Sequence, residues 1–141
     1  MDINRLVDTI KRDEGFSPVA FWDNQQATYG YGCKAAKVGD TITEAEAENL
    51  LWDEVEEAIK DFETLYYDCR DQINDVRAEA LVQLCFNLGR THLRGFRKMN
   101  NAIELNDWET AANELMDSKW YLIDLRGNSR AKRLVAALRN G

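Results

Sequence analysis

Two carboxyl groups in unlike surroundings stand nine residues apart near the N-terminus: Glu14, in Asp13-Glu14-Gly15-Phe16, and Asp23, in Phe21-Trp22-Asp23. Thr28 follows in Ala27-Thr28-Tyr29-Gly30-Tyr31-Gly32-Cys33. Glu14 falls where a first helix should end, near the negative pole of the helix dipole and beside the anionic Asp13. Both effects hold its proton more tightly and suit it to general-acid work. Asp23 falls on a strand or turn in a more polar neighbourhood, with Thr28 close enough in sequence to face the same cleft. Two carboxyls in unlike environments are what cleavage of a glycosidic bond uses: one protonates the leaving oxygen while the other stabilises an oxocarbenium-like centre or activates water. Phe16, Trp22, Tyr29 and Tyr31 are aromatic groups available for the walls of such a cleft. Each residue alone has an ordinary structural reading, since a glutamate before a helix-ending glycine is commonly solvated and an aspartate before Asn24 is commonly turn chemistry. The combination is what points to a site.

Several elements must position these groups. Ile3, Leu6, Val7 and Ile10 follow helical spacing, with Asp2 as N-cap and Gly15 as stop, which predicts a helix over about 3–13. Over 16–42, Val19, Phe21, Tyr29 and Tyr31 alternate with small or polar residues and Gly30, Gly32 and Gly39 punctuate, predicting a small antiparallel sheet or hairpin. Thr43 and Glu46 form a capping box, and Ala47, Leu50, Leu51, Ala58, Ile59 and Phe62 then repeat at helical spacing to about Leu65. A helix of about 22 residues is roughly 33 Å long, enough to link an N-terminal lobe to a C-terminal one. Its acidic face, with Glu44, Glu48, Asp53, Glu54, Glu56, Glu57, Asp61 and Glu63, reads as solvated surface.

Asn74 or Asp75 caps a segment in which Val76, Ala80, Leu81, Leu84, Cys85 and Leu88 make a broad apolar face ended by Gly89. Further helices are expected at about 91–105, 108–116 and 129–139, with Arg126-Gly127-Asn128-Ser129 as loop and cap. Trp108 and Trp120, at helical positions, read as core. No internal repeat or low-complexity linker interrupts the chain.

With 141 residues, 45% hydrophobic, 10% aromatic and the single proline Pro18, the chain fits one globular domain of at most two lobes and not a disordered segment. No apolar run approaches the roughly 20 residues that a bilayer span needs, and Met1-Asp2-Ile3-Asn4-Arg5 does not read as a secretory signal. Cys33, Cys69 and Cys85 are odd in number and lack paired metal-ligand spacing, which favours a reducing compartment over a disulfide framework or a zinc site. The net charge of −7 is uneven: residues 1–70 carry 16 acidic and 7 basic side chains, residues 71–141 carry 9 and 11. The chain as a whole therefore repels polyanions and nucleic acid is disfavoured, although Arg90, Arg94, Arg97, Lys98, Arg126, Arg130, Lys132 and Arg133 can gather into a local basic face. His92, the only histidine, reads as exposed or capping, and one histidine gives little basis for a catalytic triad or a histidine-based metal site.

A resemblance then extends across nearly the whole chain. It is carried, in order, by Asp13-Glu14-Gly15, Asp23, Thr28-Tyr29-Gly30-Tyr31-Gly32, the long capped helix and Asp75-Val76-Arg77. It continues through Cys85-Phe86-Asn87-Leu88-Gly89, Gly95-Phe96, Trp108 with Ala111-Ala112, Ser118-Lys119-Trp120-Tyr121 and Arg130-Ala131-Lys132-Arg133. This series resembles the phage-type lysozymes of glycoside hydrolase family 24, and among them particularly the T-even coliphage group.

The resemblance implies an α+β, mainly helical, two-lobed lysozyme-like fold, with a small antiparallel sheet in the N-terminal lobe, a long inter-lobe helix and a cleft between the lobes. Residues 1–141 would form one lysozyme domain, the N-terminal lobe covering about 14–60 and the C-terminal helical lobe about 66–141 together with helix 3–13. The implied activity is that of a peptidoglycan hydrolase, a muramidase cutting the β-1,4 bond between N-acetylmuramic acid and N-acetylglucosamine, without metal or organic cofactor. Glu14 matches the general acid, Asp23 the carboxylate that positions water and stabilises positive charge, and Thr28 the residue orienting that water in an inverting reaction. Tyr31, Gly32, Phe86 and Asn87 match substrate-binding positions, Phe86 having an equal reading as core. Arg130 matches the arginine that pairs with the catalytic glutamate, which would oppose the dipole effect on its proton, and Arg133 matches a partner for Asp13. The implied partner is bacterial peptidoglycan, with no nucleic acid and no stable membrane insertion, and the implied state is a monomer. The implied setting is a phage endolysin made in the host cytoplasm without a signal peptide and acting in the periplasm after holin-type release, or a virion-borne enzyme.

Three features depart from the family pattern. The four residues Asn24 to Ala27 between Asp23 and Thr28 are one fewer than usual. Cys33 replaces a histidine and removes its supporting ion pair; without a neighbouring histidine in sequence it reads as a packing substitute rather than a nucleophile. The acidic balance predicts weaker attraction to anionic walls and a different salt dependence from those of basic relatives. Two alternatives follow: a lytic transglycosylase, which needs the glutamate but no aspartate, and a catalytically silent wall-binding or virion structural module. Retention of Glu14, Asp23, Thr28 and Arg130 together argues against the silent module.

Overall fold

The computed structural model describes residues 1–124 and 129–141. The Arg126-Gly127-Asn128 part of the expected loop, and with it the Arg126 member of the expected basic face, lies outside the described residues; Ser129 stands at the N-cap of the last helix. The chain divides into two compact units, Asp2–Glu56 and Glu57–Gly141 with Met1, the division falling inside one long helix. This division counts the first helix with the sheet rather than with the C-terminal helices.

In the unit Asp2–Glu56, helix α1 (Ile3–Glu14) starts where Asp2 accepts a bond from the Arg5 N–H at 3.1 Å, and buries Leu6, Val7 and Ile10. It ends at Gly15, whose φ of +69° suits glycine and whose N–H donates to the Lys11 carbonyl at 2.9 Å. Three antiparallel strands follow in the order β1 (Ser17–Asp23), β2 (Gln26–Gly30) and β3 (Cys33–Lys34), as the alternation predicts. Helix α2 (Glu44–Leu65) opens on a reciprocal capping box: the Glu46 N–H donates to Thr43 Oγ1 at 3.2 Å and the Thr43 N–H to Glu46 Oε1 at 3.1 Å. Ala47, Leu51 and Val55 form its buried stripe. The acidic face of α2 does more than meet solvent, because Glu44 accepts from Tyr31 and Glu48 from Lys11.

The C-terminal unit is helical. A short 3-10 turn (Arg70–Gln72) precedes α3 (Asp75–Leu88), capped by Asn74, whose side chain accepts from the Arg77 N–H at 2.9 Å. Ala78 to Cys85 are all buried, so α3 is a central helix enclosed on every side. It packs with α8 (Arg130–Asn140), which in turn packs on α6 (Trp108–Met116). Arg77 fastens this arrangement by donating to the Leu138 and Arg139 carbonyls at 2.8 and 3.0 Å and covering the Trp108 ring at 4.5 Å.

The structure differs from the sequence expectations at three points here. The helix expected over 91–105 is two, α4 (Arg90–Arg94) and α5 (Arg97–Glu104), separated at Gly95-Phe96. Glycine is a poor helix former, and the Gly95 and Phe96 N–H groups close tight turns onto His92 and Leu93. A further helix, α7 (Lys119–Asp124), went unforeseen; its signal is Ser118, whose Oγ accepts from the Tyr121 N–H at 3.1 Å. Trp120 is half-buried on α7 rather than core, whereas Trp108 is buried as expected. Among the described residues no helix is long and apolar enough to cross a membrane.

Candidate active site

The site grows from the end of α1 and the β1–β2 hairpin. Asp23 pairs with Gln26 across a two-residue turn, Asn24-Gln25, both of which have positive φ, 49° and 65°. Positive φ at both central residues is the pattern of a type I′ hairpin turn, whose twist matches that of the strands it joins. The turn accounts for the shortened spacing. With Asp23 opposite Gln26 and Phe21 opposite Thr28, side chains of period two put Phe21, Asp23 and Thr28 on one face. Asp23 and Thr28 are then diagonal neighbours, with backbones about 7–8 Å apart.

The same alternation corrects the aromatic assignment. Trp22 pairs with Ala27 and lies on the opposite face, 66% exposed, and Tyr29 packs against the small cluster Ala20, Ala27 and Ala35. Phe21 and Phe16, not Trp22 and Tyr29, wall the pocket. The sequence signal for Phe21 is its position two residues before Asp23, which on a strand puts both on one face.

Glu14 closes the arrangement from the helix side. Its carboxylate lies over Gly32 so tightly that a Cβ built there would stand 2.9 Å from Oε2. Glu14, Asp23 and Thr28, with Phe16, Phe21 and the backbones of Gly30 and Gly32, line one pocket of about 260 Å³. Asp23 is exposed while Thr28 is buried, its hydroxyl 3.4 Å from the Gln26 carbonyl. A carboxyl packed on glycine at one side of a pocket, with a solvated carboxyl and a hydroxyl on a strand face at the other, can protonate a leaving group and hold a water.

Residues 11–137 match the model of the phage lysozyme family. The chain belongs to that family. As a phage lysozyme it is a glycosidase that acts on the peptidoglycan of the bacterial cell wall, and its mainly helical α+β fold with a three-stranded antiparallel sheet is that of a lysozyme.

The other expected site residues of this phage lysozyme lie as follows. Tyr31 is 5% exposed: its hydroxyl donates to Glu44 Oε1 at 3.2 Å, its ring meets Phe16 at 5.4 Å, and Lys11 Nζ lies 5.6 Å from the ring centroid. Burial, and next the Glu44 carboxylate, hold its phenol above the ordinary range. Phe86 and Asn87 are half-buried on α3, Asn87 Nδ2 donating to the Gln83 carbonyl at 2.9 Å. Arg130 Nε donates to both Asp124 carboxylate oxygens at 3.1 Å, with Arg130 Nη2 also on Asp124 Oδ1. Cys33 is buried, and burial, with Glu54 and its negative charge nearby, pushes its thiol up to about 12. A neutral thiol is a packing group, not a nucleophile.

A larger cavity of about 760 Å³ lies within the C-terminal unit, walled mainly by Leu88, Phe96, Met99, Trp120 and Ile123. It has the greater volume, but its lining has no counterpart of the Glu14–Gly32 packing. Of the basic residues expected to gather, Arg94 and Arg97 line one small pocket, Arg90 lies 3.9 Å from Asp61, and Arg133 Nη2 donates to Gln83 at 3.4 Å.

Proposed function

We propose that this phage lysozyme is an inverting muramidase that cleaves the β-1,4 bond from N-acetylmuramic acid to N-acetylglucosamine. Glu14 protonates the leaving oxygen. Asp23 stabilises the positive charge developing on the sugar and, with the Thr28 hydroxyl, holds the attacking water. The observation that carries this reading is the shared pocket of Glu14, Asp23 and Thr28, in which a two-residue turn keeps the aspartate and the threonine on one strand face. Gly32 leaves the room that the Glu14 carboxyl fills, and Gly30 the room taken by Ala47. Gly32, Phe86 and Asn87 are the proposed substrate contacts, Tyr31 shapes the wall behind Phe16, and Arg130 is the supporting basic residue. The proposed setting is host-cell lysis by an endolysin released to the periplasm.

Mass spectrometry of fragments released from purified sacculi tests this, with Glu14→Gln protein as the blank. Reducing muramic ends present with the native protein and absent from the blank are expected. Anhydro ends would replace the proposal with transglycosylation, and activity surviving in Glu14→Gln would remove Glu14 from its role.

A further inference from the structure

Between α1 and the β2–β3 turn the two chain segments meet in three successive contacts. Ser17 pairs with Gly30 through the backbone, the Phe16 ring meets the Tyr31 ring at 5.4 Å, and the Glu14 carboxylate closes on Gly32. Tyr31 is the middle of this series and its only buried side chain. Its hydroxyl is tied to Glu44 in the first turn of α2 at 3.2 Å. One helical turn further along α2, Glu48 takes Lys11 Nζ at 2.6 Å, and that ammonium lies 5.6 Å from the Tyr31 ring centroid. Lys11 sits three residues before Glu14, and its carbonyl accepts the Gly15 N–H that ends α1. Both sides of the Glu14–Gly32 contact are therefore fastened to the same stretch of α2, one through Lys11 and the other through Tyr31.

We propose that Tyr31 and Lys11 are positioning residues, which hold the Glu14 carboxyl over Gly32 by anchoring both to Glu44 and Glu48 on α2. The assignment rests on reading Glu14 as the acid, and it gives Tyr31 a role other than sugar contact. Five per cent exposure leaves the tyrosine little surface to offer a ring of substrate, and its hydroxyl is already engaged. Lys11 stands three residues before Glu14 on α1, and neither it nor Glu48 on α2 lines the pocket, so their effect reaches the reaction through geometry. A small displacement of a reacting group is enough for a large loss of rate.

The test uses the full chain with Tyr31→Phe and Lys11→Met, assayed for fragment release from sacculi, and followed by NMR of the Glu14 Cδ and the Gly32 amide at fixed pH without substrate. Each variant is expected to lower kcat about 3–10-fold with KM unchanged, the pair together about 10²-fold, and to displace both resonances while those of α8 stay in place. Lys11→Arg, which keeps the cation, is expected to recover most of the rate lost in Lys11→Met. A raised KM with kcat intact in Tyr31→Phe would make Tyr31 a sugar contact and overturn the proposal. A lowered Tm with kcat intact below it would make the ties structural and overturn it equally. The NMR arm is independent of the reaction: unmoved Glu14 and Gly32 resonances refute the positioning whatever the enzyme cleaves, whereas a native protein releasing no muramic ends refutes the muramidase reading alone.

Discussion

Glu14 and Gly32 are in contact across the pocket, the carboxylate occupying space that a side chain at position 32 would need; a Cβ there would stand 2.9 Å from Oε2 and 3.5 Å from Cδ. Gly32 also has a φ of +83°, a backbone conformation that L side chains rarely adopt. Gly32→Ala should therefore act twice. It should destabilise the fold by about 1–2 kcal/mol through backbone strain, and it should push the acid off its line and lower kcat on the order of 10²-fold. Thermal unfolding and a turnover assay on sacculi separate the two effects, and native turnover in the alanine protein would show that Glu14 tolerates the displacement.

Most of the secondary structure was legible because the chain signals it locally. Asp2, Thr43 and Asn74 cap helices in the structure as their types and spacing foretell, and Gly15 and Gly89 end them. The boundary at Gly95-Phe96 was obscured by apolar residues whose helical spacing continues across it, and α7 is short enough for Ser118 to be its main signal. At the site, Glu14, Asp23 and Thr28 could be selected from residue type and order, but which aromatics face them depends on register. Register is fixed by the Asn24-Gln25 turn, whose non-glycine residues conceal its type. The ties of Lys11 and Tyr31 to α2 join residues far apart in sequence and lay hidden in what read as a solvated acidic face.

That turn makes a second prediction. Gln25 holds φ at 65° without the freedom of glycine, and Asn-Gly is the favoured pair for such a hairpin. Gln25→Gly should relieve left-handed strain at some cost in unfolded-chain entropy, for a net gain of about 0.5–1 kcal/mol. Chemical denaturation should show a higher midpoint at unchanged slope, with turnover as in the native protein. A lower midpoint would mean that the Gln25 side chain contributes more than its backbone strain removes.

The three cysteines predict a pH dependence. Burial is the largest cause raising each thiol, to about 12 for Cys33 and Cys85. The native state keeps these protons while the unfolded chain releases them near the free-thiol value of about 8.5. Their contribution to stability is thus complete below about 8.5 and is lost as pH rises toward 12. Unfolding midpoints should fall across that alkaline range, and Cys33→Ala should flatten the fall. A thiol reagent at pH 8 should label the native protein negligibly and all three cysteines after unfolding; prompt labelling of the native protein would contradict their burial.

Asp23 separates the two glycosidase chemistries open to the Glu14 acid. In inverting hydrolysis the water must be activated on the side opposite the leaving group, and the developing charge needs a carboxylate; in transglycosylation the substrate's own hydroxyl closes the ring and no second carboxyl is required. The hairpin turn sets Asp23 exposed at the strand end, diagonal to Thr28 and in the same pocket as Glu14. That placement suits a group that holds water. Asp23→Ala should accordingly lower turnover by about 10²–10³-fold, the scale of losing an electrostatic contribution to the transition state, and any residual product should carry reducing ends. Asp23→Asn should be nearly as damaged, because the amide keeps the shape and loses the charge. If Asp23→Ala retains most of its rate and releases anhydro ends, the water-activating role falls and Glu14 works alone.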